Sequence, residues 1–316
     1  MALHTIGDTN VARRVEDEIF RQGRDLRGSG FRTLLFAALG ISTLILVVLL
    51  AQVITDGWPV LTERLGDFLS GSLRSRSTDE RLGIAQGLAG SFWIAVFVAV
   101  LAFPIGIAAA VYLEEYAADT WITRTIDIAI RNLAGVPSVV YGLLGLTLFV
   151  KLLGDSQSTL WAAGVTLAIL VLPIVVITSM EAVRAVPSSL REGAYGVGAT
   201  KWDVIRSQVL PFAAPGVLTG TLLALARAIG EAAPLILVGA ITGRLAPRDG
   251  AFFGLDQFFD KFTAMPIVIV GWVEESGRDE GFGPAAGAAI VILLVFVIAM
   301  NSVAVMLRNH FEKKRG

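Results

Sequence analysis

Six stretches of this chain run for 19 residues or more without a charged side chain: Thr33 to Thr55, Leu82 to Leu113, Asn132 to Val150, Ser156 to Met180, Ser207 to Ala226 and Gly281 to Leu307. A helix rises about 1.5 Å per residue and the hydrocarbon core of a bilayer is about 30 Å thick, so roughly 20 residues cross it. A run of this length satisfies its own backbone amides in lipid when it is helical. The expected fold is therefore all-α, a polytopic membrane protein with six transmembrane helices. Composition agrees: only 17% of the 316 residues are charged, where soluble domains carry about a quarter.

Six crossings put both termini on one side. With both inside, the inner segments (1–32, 114–131, 181–206 and 308–316) hold sixteen Lys and Arg and the outer ones (56–81, 151–155 and 244–280) hold nine, the direction of the positive-inside rule. The resulting layout is a cytoplasmic N-terminal segment (1–32), a six-helix domain (33–307) and a cytoplasmic tail (308–316). The 32 polar residues ahead of the first run are unlike a signal peptide, which has a short basic leader. No internal repeat is visible.

Several function classes lack their chemistry. There are no cysteines, and the two histidines, His4 and His310, lie in opposite tails; thiolate sites and histidine metal clusters within the membrane are excluded. A net charge of −1 gives no basic field for nucleic acid. No G-x-x-x-x-G-K-[ST] run exists to hold ATP by the P-loop design, and no G-x-S-x-G elbow supports hydrolysis.

Two polar stretches carry the functional signal. In the loop 181–211, Pro187, Ser188 and Ser189 with Glu192 predict a capped helix start, Gly196 and Gly198 predict a break, and Thr200 with Asp203 predicts a second cap. Two short helices in a bend present a knob for a partner, or an amphipathic connector at the interface; the residues alone leave both open. The second stretch is Ala226-Arg-Ala-Ile-Gly-Glu-Ala-Ala-Pro-Leu235. Charges at membrane depth cost several kcal/mol and face protein or water. Arg227 and Glu231 are four apart, on one helix face, and Pro234 cannot donate to the Gly230 carbonyl, so Pro211 to Thr242 reads as one interrupted helix. Arg227 either meets an anionic substrate, with Glu231 as its resting counter-ion, or closes a pair that only pins helices.

The stretch Glu192-Gly-Ala-Tyr-Gly-Val-Gly198 through Leu210-Pro211 resembles the EAA loop of type I binding-protein-dependent ABC importer permeases, whose fold is MetI-like. Glu192, Ala194, Gly198, Leu210 and Pro211 match at the expected spacing; Gly193 replaces the central Ala, and Gln208 stands where Ile is usual. The resemblance implies a coupling surface over Leu190 to Thr200 (Leu190, Glu192, Gly193, Ala194, Gly198 and Thr200) that docks on a separate ATPase. The run Leu225 to Pro234, with Pro137-Ser-Val-Val-Tyr-Gly-Leu-Leu-Gly145, is similar to phosphate importer permeases, the PstA type more than the PstC type. It implies that inorganic phosphate passes at Arg227 and Glu231; Gly230 and Pro234, which frame the expected break beside them, complete the candidate pathway. It also implies a second, PstC-type permease, two PstB-type ATP-binding subunits that use ATP and Mg, and a PstS-type phosphate-binding protein, in the plasma membrane of a prokaryote. This chain itself would bind no cofactor and would not be an enzyme. Another oxyanion, such as sulfate or molybdate, and a phosphate-sensing membrane scaffold are the alternatives.

Of the remaining features, Lys151 and Arg131 read as charges anchoring span ends at the headgroups. Trp58, Trp93, Trp121, Trp161 and Trp272 read mostly as interfacial aromatics. The segment 244–280, with Phe252, Phe253, Phe258, Phe259 and Phe262, contains the apolar run Met265 to Trp272, too short to cross and expected to lie at the interface or on the bundle.

Overall fold

The computed structural model describes residues 26–152, 159–243 and 258–313. The segments holding His4, Gly154, Asp155, Phe252 and Phe253, and the side chain of His310, lie outside the described residues. Among the described residues all regular structure is helical, apart from one isolated bridge between Ser72 and Leu82. The chain divides into two compact units, residues 1–52 and 53–316.

In the first unit a single helix, α1 (Leu26–Glu63), begins and runs on into the second. Its side chains from Phe31 to Leu49 are exposed. The Thr33 and Thr43 hydroxyls donate back to the carbonyls of Ser29 and Leu39, at 3.0 and 2.9 Å, which satisfies them on an otherwise apolar helix.

The second unit continues with α2 (Leu65–Ser70), α3 (Ala85–Val111) and a π-helical turn Tyr112–Tyr116. Next come α4 (Trp121–Ala134), α5 (Ser138–Gly145) and α6 (Leu160–Arg184). The short α7 (Ser188–Gly196) and α8 (Lys201–Val204) lead through a π-helical stretch into α9 (Leu210–Gly230). The chain closes with α10 (Ala233–Val238), α11 (Met265–Glu275) and α12 (Phe282–Lys313). Helix α6 is the hub, with Leu167, Val171 and Val175 fully enclosed by α3, α5, α9 and α10. Small residues seat its neighbours: a Cβ on Gly106 of α3 would strike Val175, and one on Gly220 of α9 would strike Thr178. Without a hydrophobic drive between helices in lipid, such close approaches supply the dispersion contacts that hold a bundle.

Among the described residues five helices are long and apolar enough to cross, and there are six candidates when a broken pair, Trp121–Ala134 with Ser138–Phe149, bent by 98°, is counted as one span. The sequence predicted a straight run from Asn132 to Val150. Gly135 closes α4, and Pro137 takes an extended ψ of 138°, because proline cannot donate to a preceding turn and disfavours helix in the residue before it. Asn132 is instead the last turn of an amphipathic helix whose Arg124, Asp127 and Arg131 share a face; Arg131 pairs with Asp127 at 3.1 Å.

Other expectations also need correction. The fifth span starts at Lys201 and is helical without interruption to Gly230. It resumes only as far as Val238, ended by Gly239 in the left-handed region at φ 93°, and does not reach Thr242. No side chain caps α7: Pro187 precedes it and Ser189 lies within it, so the Ser189/Glu192 box does not form. The Thr200/Asp203 box does. Trp58 and Trp121 are exposed, but Trp272 is buried. Trp93 and Trp161 pack edge-on against Phe258 and Phe149, at 4.8 and 5.7 Å between ring centres. Lys151 is exposed at the end of its helix.

At the end of α3 away from its π-turn, α2, residues 71–84, α11 and the start of α12 form a cap. Its core is Phe68, Leu73, Leu82, Ile84, Met265, Val268, Trp272 and Phe282, so the apolar run Met265 to Trp272 packs on the bundle. The Met265 amide donates to Ser91 Oγ of α3 at 2.9 Å. The cap is clasped where Ser77 donates its backbone N–H and its hydroxyl to Asp279, at 2.9 and 2.5 Å. The Ser77 hydroxyl, then its N–H, hold the Asp279 carboxyl below the usual carboxylate range.

Candidate functional site at the break after Gly230

The last turn of α9 carries Arg227, and its helix stops three residues later. Glu231 leaves the helical region (φ −81°, ψ 115°) and Ala233 restarts it, with Pro234 in the first turn of α10, where a missing N–H costs nothing. The break thus falls where Pro234 would otherwise have to donate to Gly230. Across it, Arg227 Nε donates to Glu231 Oε1 at 3.2 Å, with the side chains 48% and 19% exposed. Among the described residues the guanidinium is therefore held by a single contact, with most of its donors free of Glu231. Leu223, Arg227 and Gly230, at i, i+4 and i+7, form one exposed stripe of α9, and no atom lies within 4 Å of a Cβ built on Gly230.

The span-three motif meets this break. A Cβ on Gly142 would lie 2.8 Å from the Pro234 Cα and 3.1 Å from Leu237 Cβ, and one on Gly145 would strike Thr166 and Val238. Both glycines are thus required for α5 to lie against α10. Tyr141, one residue before Gly142, donates its hydroxyl to the Leu133 carbonyl at 2.9 Å, tying the bend of span three to the same place. Of the pathway residues named from sequence, Arg227, Gly230 and Glu231 are at least partly open, while Pro234 is buried.

The loop 181–211 is helix, break, helix. Gly198 occupies the left-handed region at φ 86°. The Gly198 and Ala199 amides donate to the carbonyls of Tyr195 and Ala194 at 2.9 and 3.1 Å, ending α7. The Asp203 amide donates to Thr200 Oγ1 and the Thr200 amide donates to Asp203 Oδ2, at 3.3 and 3.2 Å, starting α8. Leu190 and Ala194 face inward onto Val183, Val186, Val204 and Val209, whereas Glu192, Gly193, Gly198 and Thr200 are exposed. The tip also exposes Tyr195 and Val197, at 44% and 86%. The loop thus has an inward apolar face and an outward tip with uncovered apolar groups.

The family model for binding-protein-dependent transport system inner membrane components matches residues 102–315, more than half of the chain. The chain belongs to this family. Its relatives include the phosphate transport system permease protein PstA 1 of Mycobacterium tuberculosis (strain ATCC 25618 / H37Rv), 35% identical over 295 residues, covering 92% of this chain and 91% of the relative. The phosphate transport system permease protein PstA of Mycobacterium leprae (strain TN) is 35% identical over 269 residues, 84% of this chain and 83% of the relative. Among solved structures, a chain of a bacterial alginate ABC transporter in complex with an alginate pentasaccharide-bound periplasmic protein aligns at a TM-score of 0.60. That alignment has 13% identity and covers 92% of this chain and 98% of that one. A chain of the MetNI methionine ABC transporter in an inward-facing form aligns at 0.51, with 19% identity over 72% of this chain and 94% of that one. These two establish the MetI-like permease fold; the relatives carry the PstA name to which the sequence motifs point.

Within this permease fold, two ion pairs escaped sequence reasoning: Arg184 with Glu114 and Arg191 with Glu115. Each joins residues about 70 positions apart, a separation that one sequence cannot reveal. The available signal was a pair of adjacent glutamates ending a span, facing a loop with two arginines.

Proposed function

We propose that this chain is the transmembrane permease subunit of an ATP-driven importer for inorganic phosphate, providing half of the translocation pathway. The observation that carries the reading is the half-open Arg227–Glu231 pair at a helix break. A guanidinium held by one contact among the described residues is ready to exchange a carboxylate for a phosphate oxygen, which it matches in geometry. Glu231 stays close enough to reclaim the cation, so the anion is released rather than trapped. The names of the relatives support phosphate over sulfate or molybdate, and no observation favours a sensing scaffold.

The exposed stripe of Leu223, Arg227 and Gly230 would face the other half of the pathway, supplied by a PstC-type permease. The Leu190 to Thr200 knob would seat in one of two PstB-type ATPases, whose ATP and Mg drive alternating access; this chain needs no cofactor of its own. A PstS-type binding protein would deliver phosphate at the cap, which the charge bias puts outside a prokaryotic plasma membrane with both termini in the cytoplasm. The test is ATP-driven phosphate uptake by the reconstituted complex carrying Arg227→Gln. Loss of one charge-assisted contact predicts a fall of about tenfold or more. Uptake equal to wild type would leave Arg227 a structural residue.

A further inference from the structure

Arg191 lies on α7 directly before Glu192, and its guanidinium joins three elements. Nε and Nη2 both donate to Glu115 Oε1, at 3.2 and 2.9 Å; Nη1 donates to the Val186 carbonyl at 2.6 Å, and Nη2 also donates to the Val183 carbonyl at 2.9 Å. Glu115 belongs to the π-turn that ends span two. Val183 is in the last turn of α6 and Val186 lies just beyond it. Glu115 is only 8% exposed and Arg191 21%, so the pair is sheltered from the solvent that makes surface ion pairs weak. Beside it, Arg184 at the end of α6 grips Glu114 through two hydrogen bonds, at 2.5 and 3.2 Å. Two adjacent carboxylates on one π-turn, a feature common at functional positions, are thus held by arginines from span four and from the coupling loop.

We propose that Arg191 with Glu115 is the strut that makes α7 move as one body with the ends of spans two and four, so that a displacement of the coupling loop by an ATPase is delivered to the bundle. The apolar contacts of α7, Leu190 and Ala194 on the valine cluster, are non-directional and allow sliding; the planar, multiply anchored guanidinium does not. Arg191 is a positioning residue, and the proposal rests on the coupling role assigned above to the loop.

The test uses the assembled complex with Arg191→Ala, Arg191→Lys and Glu115→Gln. Expected is ATP hydrolysis near the wild-type rate with phosphate moved per ATP down roughly tenfold in Arg191→Ala, the scale of losing one charge-assisted contact. A smaller loss is expected in Glu115→Gln, which keeps the shape and an acceptor oxygen and serves should Arg191→Ala fail to insert. Lysine, a point charge without the fork, does not restore the ratio. Because the chain has no cysteine, spin labels at Ser189→Cys, on α7 outside the docking tip, and Ile105→Cys, both exposed, report the distance between α7 and span two. The strut keeps that distance single and constant through the ATP cycle, and Arg191→Ala broadens it. This readout needs no phosphate, so it stands apart from the identity of the cargo. A wild-type coupling ratio together with an unbroadened distance in the inserted variants overturns the proposal.

Discussion

Arg227 and Glu231 show how much one helix break changes the meaning of an ordinary i, i+4 pair. On an intact helix the two would close into a surface bridge worth a few tenths of a kcal/mol; here Glu231 sits outside the helix and touches the guanidinium once, at 3.2 Å. If Glu231 tempers the hold of Arg227 on the anion, Glu231→Gln slows maximal phosphate uptake severalfold while the half-saturating concentration falls or stays level. Initial-rate uptake across phosphate concentrations checks this; an unchanged maximal rate removes Glu231 from the pathway. At this scale the sequence was readable at several positions that backbone chemistry decides, though not at Ser189 and Glu192, whose predicted box does not form. Pro234 announced the break, Gly198 the left-handed turn, and Thr200 with Asp203 the cap. It was silent where three-dimensional neighbours decide, as with Trp272, buried against Phe68 and Phe282, and Arg191, whose partner Glu115 lies in another span.

The helices of the coupling loop act as a unit because their ends are fixed by local hydrogen bonds. Gly198 at φ 86° sets the angle between α7 and α8, and a side chain there costs about 1 kcal/mol or more of strain. Gly198→Asp and Glu192→Lys should therefore separate ATP hydrolysis from uptake while the subunit still inserts, as read by the two rates on one purified complex. Uptake at the wild-type rate in both would contradict a coupling role for this knob. Spans one, two, four and six were legible as uncharged runs. The third was not, because counting uncharged residues treats Gly135, Val136 and Pro137 as continuous apolar sequence, whereas Pro137 forces the turn. The fifth was cut short for the opposite reason: Lys201, Asp203 and Arg206 end an uncharged run without ending a helix.

Over the second unit the cap is tied to α3, and the coupling loop to the end of the α6 hub. The cap is held by the apolar cluster around Phe68 and Trp272 and by the Ser77–Asp279 clasp. Since folding lowers the Asp279 pKa, the clasp contributes stability that is fully present above the unfolded value of about 3.9 and is lost as pH falls through the lowered folded value. Asp279→Asn should accordingly melt below wild type at pH 7, and the gap should persist at pH 5 and close only in stronger acid. Thermal unfolding in detergent as a function of pH measures it, and a gap that vanishes by pH 5 would contradict the assignment. The central claim, an ATP-coupled phosphate permease, is tested most directly by uptake of labelled phosphate into proteoliposomes holding this chain, a second permease and the ATPase, with binding protein outside and ATP within. The account predicts saturable accumulation that requires both ATP and binding protein and persists in excess sulfate or molybdate. Accumulation that excess sulfate abolishes, or none at all from the fully assembled complex, would contradict it.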